Sequence, residues 1–174
     1  DNDHGTHVAG CAGAVFNNGI GGSGTCPNIK IICCKGSSNT SPSTGVAYGY
    51  DQAKYCAENG ADVVNCSWGG QATSLNYANQ IVNYVTNIGC LFVAAAGNDN
   101  IEHGTAYIDA PADATNALCV AATDANDIKT SFSDYGTPID ICAPGQAILS
   151  TIIANDGFAA YDGGIVFGDS GSSN

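Results

Sequence analysis

The chain has 174 residues, 44% of them hydrophobic, with 16 acidic side chains against four lysines and no arginine, and a formal charge of −12. That length suits one domain with a buried core, and so few cations cannot neutralise a run of phosphates, which argues against nucleic acid as a partner. No run of about 18 apolar residues is present to span a membrane, and the opening Asp1-Asn2-Asp3 is not the charged-then-apolar start of a secretory leader.

The elements follow in chain order. His4 to Phe16 is rich in Gly and Ala and predicts a helix packed closely against its neighbours. Ile29 to Lys35 predicts a first strand, and Gly36 to Thr44, a Ser/Asn/Thr/Gly/Pro stretch, an exposed loop. Val46, Tyr50, Ala53 and Ala57 recur at three or four residues and predict a helix, with Ser43 or Thr44 as N-cap and Asn59-Gly60 as stop. A strand is expected over Ala61 to Cys66. A second helix is expected from about Ser74 to Thr86, with Tyr77, Ile81 and Tyr84 on one face and Gly89 closing the turn. Cys90 to Ala95, Leu118 to Ala122 and Ile139 to Ala143 complete the strands; after Thr151 the periodicity is lost. These strands are mostly continuously apolar, as expected of strands covered on both faces, and their alternation with helices predicts an α/β fold around a parallel sheet.

Nine cysteines have an odd count and no C-x-x-C spacing. Cys33, Cys34, Cys66, Cys90, Cys119 and Cys142 lie in apolar runs, where a thiol behaves as a small hydrophobe. Mostly free, buried thiols are expected, with one or two disulfides as the alternative.

Three segments carry residue types suited to chemistry. In Asp3-His4-Gly5-Thr6-His7-Val8-Ala9-Gly10 an imidazole precedes a small-residue helix; a histidine, with its ordinary pKa near ~6.5, can take and return a proton at neutral pH. A capping histidine, or a half-formed metal site with His7, fits the same spacing. Val93-Ala94-Ala95-Ala96-Gly97-Asn98 ends a strand in small residues and a carboxamide at the end where ligands collect in parallel sheets. Asn98 could donate to an oxyanion there, or simply turn the chain. Val63-Val64-Asn65-Cys66-Ser67-Trp68-Gly69-Gly70 ends another strand in glycines, whose backbone could pair with an extended peptide or belong to a plain turn.

Together, in this order and spacing, the three segments resemble the subtilisin-like serine protease family. Phe132 to Gly145 is also similar to that family's strand pair before the serine, so the resemblance covers nearly the whole chain. It implies a three-layer α/β fold, a mostly parallel central sheet with helices on both faces, here truncated at both ends, and a partial catalytic domain over 1–174. It further implies a secreted, extracellular or lumenal monomer acting on polypeptides, away from membranes and nucleic acids, with no cofactor in its chemistry. By that resemblance His4 is the general base, His7 is structural, and Asn98 is the oxyanion donor. Ser67 and Gly69 offer backbone to substrate, with Trp68 replacing a smaller aliphatic residue beside a subsite; Ala95, Ala96 and Gly97 line the pocket for the residue before the cleaved bond. Phe16-Asn17-Asn18-Gly19-Ile20-Gly21-Gly22 resembles the family's calcium loop, with the Asn18 side chain as one oxygen ligand to a structural calcium, or else is a glycine-rich turn.

The chain departs from the family pattern in two places. No aspartate precedes Asp1 to orient the histidine, and the Gly-Thr-Ser-Met-Ala motif is incomplete. Ser170-Gly171-Ser172-Ser173-Asn174 makes Ser173 the nucleophile; the other register, Tyr161-Asp162-Gly163-Gly164-Ile165, puts isoleucine there. The expectation is a serine endopeptidase whose triad is completed by parts outside this chain, the chain by itself being inactive. The alternatives are a pseudoprotease or fragment that binds extended peptide without cutting it, and a small metal-binding protein using His4, His7, His103 and cysteines.

Overall fold

The computed structural model describes residues 4–19, 21–26, 28–36, 45–104 and 106–151. They fall into two compact units, one within Asp1–Cys33 and Ala147–Ser170, the other within Cys34–Gln146. The Ser43 and Thr44 cap, most of the Gly36 to Thr44 loop and both serine registers lie outside the described residues.

In the first unit, helix α1 (His4–Gly13) explains its own small-residue composition. A Cβ on Gly10 would meet the Ser150 and Thr151 side chains, and one on Gly13 would meet Ile29. The chain at 148–151 is laced along the helix: the Ser150 hydroxyl donates to the His7 carbonyl at 2.6 Å and the Thr151 hydroxyl to the Thr6 carbonyl at 2.7 Å. Close approach outweighs the low helix propensity of glycine here. Ile29 to Lys35, expected as a strand, belongs to no ladder among the described residues. Its β-branched run reports a preference for extended backbone, whereas a strand also requires a neighbouring edge at the right register.

The second unit is built on four parallel strands in the order β1 (Val63–Cys66), β3 (Leu91–Ala95), β6 (Leu118–Thr123), β8 (Ile141–Pro144). Helices α2 (Gly49–Glu58) and α3 (Asn76–Asn87) pack against β1, β3 and each other. The core lies between them: Phe92, Val82, Val85, Ala94 and Cys119 are fully buried, joined by Ala53, Ala57, Val64 and Cys66. Asn59 ends α2 as expected, its side-chain amide donating to the Tyr55 carbonyl at 2.8 Å. Two short pairs complete the unit: β2 (Gly70–Gln71) runs antiparallel to β5 (Asp109–Ala110), and β4 (Glu102–His103) parallel to β7 (Tyr135–Gly136).

Two expectations change, and the buried face of α3 becomes defined. The central strands alternate between buried and more exposed positions instead of being covered at every residue; Val63, Leu91 and Ile141, on the face away from the helices, are about half exposed. An apolar run records that both faces tolerate burial, and period 2 then sorts the residues between faces. The buried stripe of α3 is Ala78, Val82 and Val85, one position on from the Tyr77, Ile81 and Tyr84 stripe, and Tyr77 and Tyr84 are exposed. All nine cysteines are free, but Cys33, Cys34 and Cys142 are exposed; Cys142 sits on β8, the end strand of the sheet among the described residues.

Truncating Phe92 removes the largest wholly buried side chain among the described residues. Phe92→Ala is expected to lower unfolding free energy by about 3–5 kcal/mol, read from denaturant midpoints, while Ile128→Ala at an exposed position stays within about 0.5 kcal/mol.

Candidate active site

Register places the substrate-type segments together. Cys66 is the last residue of β1 and pairs with Ala94, one residue before β3 ends at Ala95, so Ser67-Trp68-Gly69 and Ala96-Gly97-Asn98 leave the sheet side by side at its carboxyl end. That end is where an open parallel sheet leaves room for ligands. Ser67 accepts a hydrogen bond from the Asn65 amide at 2.9 Å. Ala96 is fully buried and its N–H donates to the Val120 carbonyl at 2.9 Å, so the turn beyond it starts from a fixed point. Gly69 and Asn98 are exposed. On the face away from the helices, Asn65, Ser67, Val93, Ala95, Val120 and Ala122 border a small cavity of about 70 Å³. Trp68 is half-buried, its ring edge-on to Tyr50 at 5.1 Å and lying against Gly49. The indole is therefore packed onto the start of α2.

Behind the turn sits a buried polar cluster. Asp134, fully buried, accepts the N–H groups of Asp99 and Ile101 on one carboxylate oxygen, each at 2.9 Å. Its other oxygen faces His103 Nε2 at 3.3 Å. Gly97, at φ +118°, has no room for a side chain because a Cβ would run into that carboxylate; only glycine combines this dihedral with this approach. His103 Nδ1 lies 2.7 Å from Asp113 Oδ1, and Asp113 Oδ2 accepts the Asp109 N–H at 2.8 Å. Asp109 lies against Gly69, and its Oδ1 is buried with no hydrogen-bond partner among the described residues.

Burial pushes the Asp109 carboxyl up to about 6, with repulsion from Asp113 and Asp134 adding to it, while His103 and the Gly70 amide pull it down. Stripping water from an ionised carboxylate without full replacement is the cause.

The remaining candidate residues belong to the first unit or lie outside the description. His4 is half-buried in the first turn of α1. His7 is buried, its Nε2 at 3.0 Å from the Ile148 carbonyl; a carbonyl only accepts, so Nε2 carries the proton and the ring tethers helix to strand-like chain. Asn18 is exposed in a turn flanked by left-handed Asn17 and Gly19. Ser173 and Ile165 lie outside the described residues. Among the described residues no group of three or more His, Cys, Asp or Glu side chains is placed to hold a metal ion. No helix among them is long and apolar enough to cross a membrane.

Sequence reasoning did not find the His103, Asp109, Asp113 and Asp134 cluster. The acidic pair around Asp109-Ala110-Pro111-Ala112-Asp113 was the available signal, but nothing in the sequence says that its carboxylates converge with a histidine ten residues back and an aspartate about twenty ahead.

A carboxyl whose folded pKa lies above the usual 3.8 binds its proton more tightly when folded. Its stabilising contribution is full below about 3.8 and lost as pH rises to about 6. Asp109→Asn is therefore expected to flatten the fall in melting temperature between pH 4 and 7 and to be more stable than the parent at pH 7. Parallel melting curves for the two proteins that stay a constant distance apart across this range would count against that assignment.

The family model for the subtilase family matches residues 1–164. Thermitase of Thermoactinomyces vulgaris is 43% identical over 150 residues, covering 86% of this chain and 52% of its own length. Alkaline elastase YaB of Bacillus sp. (strain YaB) is 40% identical over 164 residues, 93% of this chain and 41% of its own. Among solved structures, the psychrophilic subtilisin-like protease Apa1 from the Antarctic psychrotroph Pseudoalteromonas sp. AS-11 superposes with a TM-score of 0.73 at 33% identity, over 87% of this chain and 34% of that one. The chain thus spans about half the length, or less, of these relatives. The parallel sheet with its helices, the glycine-bounded segments at its carboxyl end and these matches together assign the chain to the subtilase family.

Proposed function

We propose that this chain supplies the base, the oxyanion donor and much of the substrate groove of a secreted, extracellular or lumenal serine endopeptidase. The observation that carries this reading is the Cys66 to Ala94 pairing, which sends Ser67–Gly69 and Ala96–Asn98 out of the sheet together. An extended peptide would lie along Ser67 and Gly69 by backbone hydrogen bonds, with its residue before the scissile bond against Ala95, Ala96 and Gly97 and a neighbouring residue beside Trp68. His4 would take the proton from the Ser173 hydroxyl as its oxygen adds to the scissile carbonyl, then return it to the leaving amine; water would release the acyl group by the same steps. Asn98 would donate to the oxyanion formed at each addition. The aspartate that orients His4 would come from parts of the protein outside this chain, and the chain alone would be inactive without it.

None of these steps uses a cofactor, and the enzyme would act as a monomer on polypeptides, with no part for nucleic acid or membrane. The turn around Asn18 holds neutral oxygens, an amide and backbone carbonyls, and no carboxylate. It would therefore supply only part of a structural calcium site, since calcium takes 6–8 oxygen ligands and usually includes carboxylates.

A fluorophosphonate probe applied to the full-length protein tests the reading, because it labels an activated serine. Labelling at Ser173 that is lost in His4→Ala is expected; an unlabelled but peptide-binding protein would be a pseudoprotease. In the active protein Asn98→Ala should lower kcat by about 10²–10³ with little change in KM, the magnitude known for such a donor in another member of this family.

A further inference from the structure

The cluster behind the Gly97 turn joins two pieces of backbone that the proposed chemistry needs held still. On one side, Asp134 grips the turn itself: its carboxylate takes the Asp99 and Ile101 N–H groups, and its own N–H donates to the Gly97 carbonyl at 3.1 Å. Asn98 stands between these attachment points. On the other side, Asp113 is locked to β5, accepting the Asp109 N–H at 2.8 Å while its own N–H donates to the Asp109 carbonyl at 3.0 Å. Strand β5 is in turn paired with β2 at Gly70 and Gln71, next to the substrate-type segment. Among the described residues, the side chain that spans from Asp113 to Asp134 is His103, whose ring is fully buried.

We infer that His103 is a positioning residue for this site, a strut that braces Asp134 against β5 and thereby holds the Asn98 carboxamide in its donor position. This rests on the protease reading above. The ring suits the task because it is rigid and has a polar atom at each end: Nδ1 meets Asp113 at 2.7 Å and Nε2 meets Asp134 at 3.3 Å. Buried carboxylates that lose such a partner relax towards other groups, and Asp134 cannot relax without moving the Asp99 and Ile101 amides that it holds. His103 touches no reacting atom; it acts through Asp134 on the turn.

A mutant cycle on the full-length protein separates this role from general structural support. His103→Gln cannot reach both carboxylates, and kcat for a peptide substrate should fall by about ten- to a hundredfold, the scale for displacing a catalytic group by up to about 1 Å, with KM within about twofold. If His103 acts through Asn98, the same substitution in an Asn98→Ala background has nothing left to misplace, and kcat should change by less than about twofold. Should His103→Gln fail to fold, Asp113→Asn, which keeps the shape and weakens the anchor, carries the test with a smaller loss and the same non-additivity. Equal losses of kcat in both backgrounds, or no loss in either, would overturn the inference while leaving the protease reading intact. A full-length protein that hydrolyses no peptide and takes no probe would overturn the protease reading, and this inference with it.

Discussion

The two substrate-type segments of this chain are brought together by the register between two parallel strands. Val63 to Cys66 pair with Leu91 to Ala94 one for one, so the two strands run out within one residue of the same level. The small residues that follow them are therefore neighbours, although about thirty positions separate them in the chain. What holds the register is burial on one side: Val64 and Cys66 alternate into the same core as Phe92 and Ala94, under Ala53, Ala57, Val82 and Val85 of the two helices. A slip of one residue would turn all of these to the opposite face. Packing on the helix side thus decides geometry at the strand ends.

The second constraint is electrostatic. Asp109, Asp113 and Asp134 lie close together with His103 in a buried part of the second unit. Three carboxylates around one imidazole is an arrangement that burial disfavours, since an ionised group gives up its hydration on entering it. The cost is offset in part by the main chain: Asp134 accepts two backbone N–H groups, and Asp113 accepts one. Asp109 is less well served, and its carboxyl correspondingly holds its proton to higher pH. Such imperfectly satisfied groups are uncommon in ordinary cores and collect at sites where function sets the geometry.

Helix α1 illustrates a different logic. Its glycines would weaken an isolated helix, yet they are what allows Ser150 and Thr151 to approach and donate to the helix carbonyls at His7 and Thr6. His7, in the same motif as His4, spends its Nε2 proton on the Ile148 carbonyl. Of two histidines three residues apart, one is thereby committed to structure, while His4 sits a turn earlier at the helix start.

The sequence by itself was enough for the elements with strong period and clear stops, α2 with its Asn59 end and the strands over Val63–Cys66, Leu91–Ala95 and Leu118–Thr123, and for the motifs that identify the family. Those features are local: apolar spacing, caps and short runs of small residues are written in adjacent positions. It misplaced or left open what depends on neighbours far along the chain. Ile29 to Lys35 has the composition of a strand but no ladder among the described residues, the buried stripe of α3 is set by what β3 and α2 present to it, and Cys142 is exposed on a strand at the end of the sheet order among the described residues. The tertiary structure alone brought His103 between Asp113 and Asp134, because a buried hydrogen-bond network is specified by where three separate segments meet and leaves no periodic trace in any one of them.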